Sequence, residues 1–344
     1  MSNFEVKDLL ATQADGVRHL ACRRYCLIKN GQKGACHLYE NLDGKLFSVG
    51  YGKISTFAVD PIEKKPLYHF YPASKVFSVG GISCNFACPA CQNSSIAHFS
   101  VNSLEQTRLL SPPELVRLAL KTECRGIAFT YNEPTVFAEY TIDTFKLAKS
   151  AELYTVYVTN GYMSRELLNL LAPILDGASV DIKAFSPTSF KKITGALSDF
   201  TGVLDSCQIL KKSGVHLEVV TNITPTVNDS LEELGQMASW IKDNLGENTP
   251  FHLTRYSPRP IWPEVPATDY TFFDQVMAQN WEIGLKYTYV GNMPNHSAQN
   301  TFCANCGFQL VGRYGYQVIV KGLQPDGRCS HCGQEASFVL GKTG

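Results

Sequence analysis

The alternation of apolar and polar positions divides the chain into three textures. From about residue 73 to 296, short β-branched runs alternate with stretches of helical period, the pattern of repeated β–α units. Strands are predicted at Val76–Gly80, Gly126–Tyr131, Thr155–Thr159, Ala178–Lys183, His216–Thr221, Phe251–Tyr256 and Tyr287–Val290. Ser111-Pro112-Pro113-Glu114 predicts a helix start, with Ser as N-cap, Pro at the first turn and Glu closing a capping box. Further helices are predicted at Val136–Ser150, Ser164–Leu171, Gly202–Ser213, Ser230–Asn244 and Tyr270–Gly284. Parallel strands with intervening helices make a doubly wound sheet or a barrel. Either gathers ligands at the C-terminal strand ends. Residues 1–72 read as a small β unit, with Asp43-Gly44 as a hairpin turn. Residues 297–344 read as short β runs around two cysteine pairs.

Composition narrows the class. The 344 residues are 44% hydrophobic and 18% charged, enough for a large core and unlike a disordered chain. The 31 basic and 31 acidic residues cancel, so no global charge points to nucleic acid or anionic membrane. Met1-Ser2-Asn3-Phe4-Glu5 does not begin a secretory signal. No apolar run reaches transmembrane length. A cytoplasmic protein is expected, and in that reducing compartment twelve cysteines mean metal or redox chemistry rather than disulfides. Cys124 and Cys207 stand alone and read as core thiols.

Cys84, Cys88 and Cys91 form a C-x3-C-x2-C run directly after the first predicted strand of the β–α region, with Gly80-Gly81 opening the loop. Three thiolates hold one face of an iron–sulfur cube and leave one iron open. Zinc asks for four ligands, usually from paired C-x2-C. At the other end, Cys303-x2-Cys306-Gly307 and Cys329-x2-Cys332-Gly333 are two such pairs and predict a zinc ribbon; rubredoxin-type iron is the rival, since its sulfur geometry is the same. At the start, His19, Cys22, Cys26 and Cys36 supply a donor count for zinc, for an auxiliary cluster, or simply unliganded thiols.

The cysteine run, Cys91-Gln92-Asn93, Tyr131-Asn132-Glu133-Pro134-Thr135, Val158-Thr159-Asn160-Gly161-Tyr162 and Tyr289-Val290-Gly291-Asn292 before the knuckles together resemble the radical S-adenosylmethionine (SAM) protein of the AmmeMemoRadiSam system, a relative of pyruvate formate-lyase activating enzymes. The resemblance spans nearly the whole chain. It implies a partial (β/α)6 radical SAM barrel in residues 73–296, with an N-terminal Cys/His β unit at 1–72 and a zinc ribbon at 297–344. It implies an oxygen-sensitive enzyme in which a [4Fe–4S] cluster on Cys84, Cys88 and Cys91 cleaves SAM to a 5′-deoxyadenosyl radical that abstracts hydrogen from a substrate. A reductant of the flavodoxin or ferredoxin kind is the expected partner, and a protein the leading substrate. A small metabolite, RNA, and a non-catalytic electron carrier or scaffold remain alternatives.

In the radical SAM family an acidic element after the second strand meets the SAM amino group, and Asn132-Glu133 occupies that place. Glu133 is also a plain helix-start residue favoured by the dipole. Asn160, at the third strand end, is also a turn residue. Asp181 and Lys183 alternate onto one side of the fourth strand, facing SAM or forming a structural salt bridge. Glu218 and Asn222 share one face of the fifth strand, and His252 on the sixth is either a ligand contact or a satisfied core histidine. Three positions depart from the family. Ala90 replaces an aromatic residue before the third cluster cysteine. Ser94-Ser95 stand where Trp-Glu is usual. His19 stands where Cys is usual, which favours zinc at the N-terminal site.

Overall fold

The computed structural model describes residues 4–195, 197–294 and 296–341; Met1–Asn3 and the last three residues of the C-terminal unit lie outside the described residues. Eight strands form the principal sheet: β1 Thr56–Pro61, β2 Lys75–Gly80, β3 Gly126–Phe129, β4 Tyr154–Thr159, β5 Gly177–Asp181, β6 His216–Ile223, β7 Phe251–Arg255 and β8 Thr288–Gly291. They lie in the order β8-β7-β6-β5-β4-β3-β2-β1. A doubly wound sheet reverses its strand order at a switch point; this one never does. That leaves the strand-after-strand winding of a (β/α) barrel lineage, and β1 precedes the seven strands expected from the sequence.

The seven longer helices are α1 Pro112–Lys121, α2 Ala138–Ser150, α3 Arg165–Leu171, α4 Pro187–Thr194, α5 Thr201–Lys212, α6 Leu231–Leu245 and α7 Tyr270–Ile283. Their starts follow local chemistry. Glu114 accepts from the Ser111 backbone N–H at 2.8 Å and from its hydroxyl at 2.6 Å, and Ser164 caps α3 by accepting from Leu167 N–H at 3.0 Å. Each such cap is worth about 1 kcal/mol. No described helix is long and apolar enough to cross a membrane.

The chain divides into two compact units. One holds the described residues up to Asp60, Val76–Ala178 and Thr201–Val215. Within it β2, β3 and β4 pair in parallel, with Val79 opposite Phe129 and Phe129 opposite Tyr157. This register brings the three loops after the strands to one level. β3 is buried throughout, as expected of a parallel strand covered on both faces. Small antiparallel strands lie in the N-terminal part; Tyr39–Leu42 and Lys45–Ser48 close through Asp43-Gly44, both at positive φ (52° and 79°), the signature of a tight type I′ turn.

The second unit holds Pro61–Lys75, Ser179–Phe200 and the chain from His216 onward. Here β6, β7 and β8 pair in parallel, aligning Val220, His252 and Tyr289 in one row and Asn222, Thr254 and Gly291 in another. Strands Thr301–Phe302, Gln309–Tyr314 and Gln317–Val320 form a separate antiparallel sheet, packed on a small core of Leu310, Val311 and Ala336.

Candidate functional site

In the first unit, the loop after β2 is held by backbone bonds. A Cβ on Gly81 would stand 3.0 Å from the Phe137 ring, so a side chain there would press on that ring where the loop leaves β2. Asn132 then clamps it: its Oδ1 accepts from Gly81 N–H at 3.0 Å, and its Nδ2 donates to the carbonyls of Ile82 (3.1 Å) and Ser83 (2.9 Å). Ser83 sits at φ 69°, a conformation costing about 1–3 kcal/mol outside glycine, and the Asn132 clamp offsets that cost.

The first thiol is equally fixed. Asn160 Nδ2 donates to Asn85 Oδ1 at 2.7 Å and lies 3.7 Å from Cys84 Sγ. Glu133 holds Asn160 in place. Its Oε2 accepts from Asn160 N–H at 2.7 Å, and its Oε1 accepts from Thr135 N–H (3.1 Å) and the hydroxyls of Thr135 (2.6 Å) and Thr159 (2.7 Å). Thus Cys84, Asn132, Glu133 and Asn160 come together, with the Glu133 carboxylate engaged by four donors. Burial raises the Glu133 pKa, against those bonds. Burial also raises the Cys84 thiol well above its usual value, followed by the charge of Glu133 and the neighbouring Cys88 and Cys91.

Among the described residues, the thiols that gather within 4.8 Å of one another are Cys303, Cys306, Cys329 and Cys332. Cys84, Cys88 and Cys91 do not form such a group. Three thiols on one loop, the first braced by an amide donor, supply the donor set of an iron–sulfur cluster with one iron left open.

The N-terminal donors also belong to this unit. His19 stacks on Tyr39 with ring centroids 3.7 Å apart, and its Nε2 lies 3.7 Å from Glu139 Oε1. Cys26 O accepts from His19 N–H at 3.0 Å, Cys22 O from Tyr25 N–H at 3.0 Å, and Cys36 O from the Ser83 hydroxyl at 2.7 Å. Burial pushes Cys22 up to about 11 and Cys36 up to about 12.

In the second unit, Lys183 Nζ lies 2.5 Å from Asp181 Oδ2. β5 ends at Asp181, so Lys183 reaches back from beyond the strand. Asp181 Oδ1 is buried and has no hydrogen-bond partner. Asn222 donates to Thr254 O (3.2 Å) and Oγ1 (3.0 Å). Glu218 is fully buried and accepts from Tyr68 N–H (3.0 Å), His69 N–H (2.8 Å), His216 Nε2 (2.9 Å) and His252 Nε2 (2.6 Å). Burial opposes its charge, yet the two imidazoles hold its pKa well below the carboxylate range. His252, Thr254 and Asn292 are among the residues lining a cavity of about 410 Å³ in this unit.

His69, beside Glu218, is the reverse case. Its Nε2 lies 2.6 Å from the Tyr289 hydroxyl and its ring stacks on Phe338 at 4.1 Å. Burial lowers its pKa from 6.5 to about 3. The unfolded chain therefore binds a proton below pH 6.5 that the folded chain refuses, and stability falls as pH falls through that window. Between pH 6.5 and 5 the expected loss is about 2 kcal/mol. Urea unfolding at the two pH values checks it: His69→Phe should flatten the difference, and an equal loss in the variant removes His69 as the cause.

The ribbon thiols are set for one ion. Cys303 and Cys332 sulfurs lie 3.6 Å apart and Cys306 and Cys329 3.8 Å, the spacing expected for a tetrahedral four-thiolate site. The two knuckles repeat one turn: Gly307 N–H donates to Cys303 O and Gly333 N–H to Cys329 O, both at 2.9 Å, with φ 71° and 74°. The arrangement is consistent with a zinc ribbon. Arg313 from its second strand donates to Tyr68 O at 2.7 Å and lies 4.0 Å above the Tyr68 ring.

A sequentially wound parallel sheet with a three-thiol loop after a strand defines a class, and the comparisons agree. The chain belongs to the radical SAM superfamily, whose model matches residues 79–241. It is 39% identical over 325 residues to "Uncharacterized protein MJ0808" of Methanocaldococcus jannaschii, covering 94% of this chain and 96% of that protein. Over 118 residues it is 30% identical to the pyruvate formate-lyase-activating enzyme of Clostridium pasteurianum, covering 34% of this chain and 48% of that enzyme. A radical SAM methyltransferase from Sphaerobacter thermophilus shares the fold, with a TM-score of 0.50 at 14% identity, over 89% of this chain and 81% of that one. Superfamily membership implies a [4Fe–4S] cluster, SAM cleavage to a radical, and a reductant.

Asn85 was not singled out by sequence reasoning, though it lies inside the cysteine run. Tyr68, His69 and Arg313 were also missed. Their partners are far away in sequence, so no local spacing announces them.

Proposed function

We propose that this chain cleaves SAM reductively at a cluster on Cys84, Cys88 and Cys91 and uses the 5′-deoxyadenosyl radical to take a hydrogen atom from a substrate. The observation that carries this is the three-thiol loop after β2, its backbone fixed by Asn132 and its first thiol beside the Asn160 amide. The cluster, when bound, supplies the electron for SAM cleavage. The chain's own residues do the positioning. Asn132 sets the loop backbone. Glu133 serves the SAM site by fixing Asn160. Asp181, with one free oxygen, and Lys183 offer an acceptor and a cation to SAM's polar groups. Glu218 and His252 stiffen the strand face that carries Asn222.

A protein substrate, in the manner of the activating enzymes, is favoured by the similarity to an enzyme whose name gives a protein as its target. The cavity of about 410 Å³ supports a small metabolite as the second reading. The ribbon then holds zinc as a structural or docking element, because a closed four-thiolate site has no open position. Thiols with no disulfide among them suit a cytoplasmic setting with a flavodoxin or ferredoxin donor.

Asp181→Asn and Lys183→Met test the reading. Losing one charge-assisted hydrogen bond worth about 1.5–3 kcal/mol should weaken SAM binding about ten- to hundredfold. Iron content should not change. Native SAM affinity in either variant, by titration of the anoxic protein, returns the pair to a structural salt bridge.

A further inference from the structure

The Asn160 amide is oriented from both ends. Its Oδ1 accepts from Tyr162 N–H at 3.0 Å, so the group cannot turn over without stranding that donor. Its Nδ2 then faces the cysteine loop. It donates to Asn85 Oδ1 at 2.7 Å and lies 3.7 Å from Cys84 Sγ. The backbone is tied down as well, because Asn160 N–H donates to Glu133 Oε2 at 2.7 Å. Asn160 and Asn85 are 6% and 3% exposed, so little water screens these bonds and each counts for more than it would at the surface.

The groups around Cys84 suit a charged sulfur better than a thiol. As a thiol, Cys84 has a weak S–H to place toward Asn85 Oδ1, 3.6 Å away. That oxygen already accepts from Asn160. A thiolate on iron only accepts, and two N–H groups are placed for it: the Phe86 backbone at 3.4 Å and Asn160 Nδ2 at 3.7 Å. Hydrogen bonds to an ionised partner are shorter and roughly twice as strong as neutral ones. Hydrogen bonds to the sulfurs are also among the terms that set a cluster's reduction potential. A [4Fe–4S] cluster gains one negative charge when it takes an electron from the reductant. An N–H held against its sulfur therefore favours the reduced form.

We propose that Asn160 tunes the cluster: its Nδ2–H bonds the Cys84 thiolate and raises the reduction potential. It is a positioning residue that acts through that sulfur, and its role rests on the assignment of the cluster to Cys84, Cys88 and Cys91. The test is an EPR-monitored redox titration of the anoxically reconstituted full chain, wild type against Asn160→Leu. No SAM is present, so an effect through SAM binding does not enter. Leucine keeps the bulk of the side chain and the backbone bond to Glu133 but carries no side-chain N–H. At a fixed poise the reduced-to-oxidised ratio should fall about tenfold, a midpoint about 59 mV more negative for one electron. Asn160→Asp, which sets a negative charge beside the same sulfur, should lower it further. An unchanged or higher midpoint in Asn160→Leu overturns the proposal, and so does a lower melting temperature with a native midpoint, which marks a purely structural residue. If neither variant holds a cluster, the wild type decides. Prepared with the heavy nitrogen isotope in the asparagine side-chain amide, its reduced cluster should show that nucleus in the electron spin echo, and no such modulation overturns the proposal. Failure of the cluster assignment looks different: the wild type itself then takes up no cluster. A full cluster with an unmoved midpoint sinks the role of Asn160 alone.

Discussion

Replacing Cys84, Cys88 and Cys91 together with alanine should abolish 5′-deoxyadenosine formation by the reduced protein while leaving the ribbon metal in place. The effect is expected to be complete because the loop from Gly80 to Asn93 carries no other cysteine. Asn85 and Asn160 touch Cys84 but supply amides, which do not ligate iron as thiolates do. Folding should survive. The loop backbone is held by Asn132 through three bonds that use no cysteine side chain, and each substitution removes only the sulfur while keeping the Cβ. The ribbon sulfurs lie in the other compact unit, so the ribbon metal counted per chain should not change. The measurement is product formation from SAM under anoxia, with metal analysis of the same sample. Undiminished 5′-deoxyadenosine would remove these cysteines from the chemistry and with them the proposed mechanism.

The parts of this structure legible in the sequence are those set by short-range chemistry. Asp43-Gly44 closes its hairpin because both residues accept positive φ, and Ser111 with Glu114 makes its capping box because three residues bring side chain to backbone. The knuckles Cys303–Gly307 and Cys329–Gly333 each carry their own turn. Helix α4 was not foreseen. Ser186-Pro187 is a sound N-cap and first-turn pair, and Gly195 ends the helix at φ 80°, but eight residues give too short a period to stand out. β1 was also missed, since its burial alternates only partly as on an edge strand. At the site, spacing exposed the cysteines but not what braces them. That Glu133 is engaged by four donors, or that His19 faces Glu139, follows from strands brought together across long stretches of chain.

Glu218→Leu should destabilise the second unit by about 3–5 kcal/mol, the range seen when one partner of a buried charged network is removed. Glu218 is completely buried and accepts from two backbone N–H groups and two imidazoles. Leucine fills the volume but accepts nothing. His216 and His252 can shift tautomer to recover part of the loss, whereas the N–H groups of Tyr68 and His69 cannot, and each stranded donor costs about 1–3 kcal/mol. The acid response separates this from simple misfit. The folded Glu218 pKa lies well below its ordinary 4.5, so the folded chain binds its proton less readily than the unfolded chain. The carboxylate's contribution is therefore fully present above about pH 4.5 and is lost as pH falls through the folded value. Wild type should lose this stability in acid, and the variant, already without it, should show a shallower slope below pH 4.5. Urea unfolding at pH 7 and at pH 4 makes both comparisons. A variant as stable as wild type at pH 7 would mean the network carries no net stability. The consequence for function is positional: Asn222 lies four residues along the same strand face and bonds Thr254 across β6 and β7. Loosening Glu218 and His252 should thus weaken SAM binding in the folded variant while leaving the iron and sulfide content of the Cys84 loop unchanged.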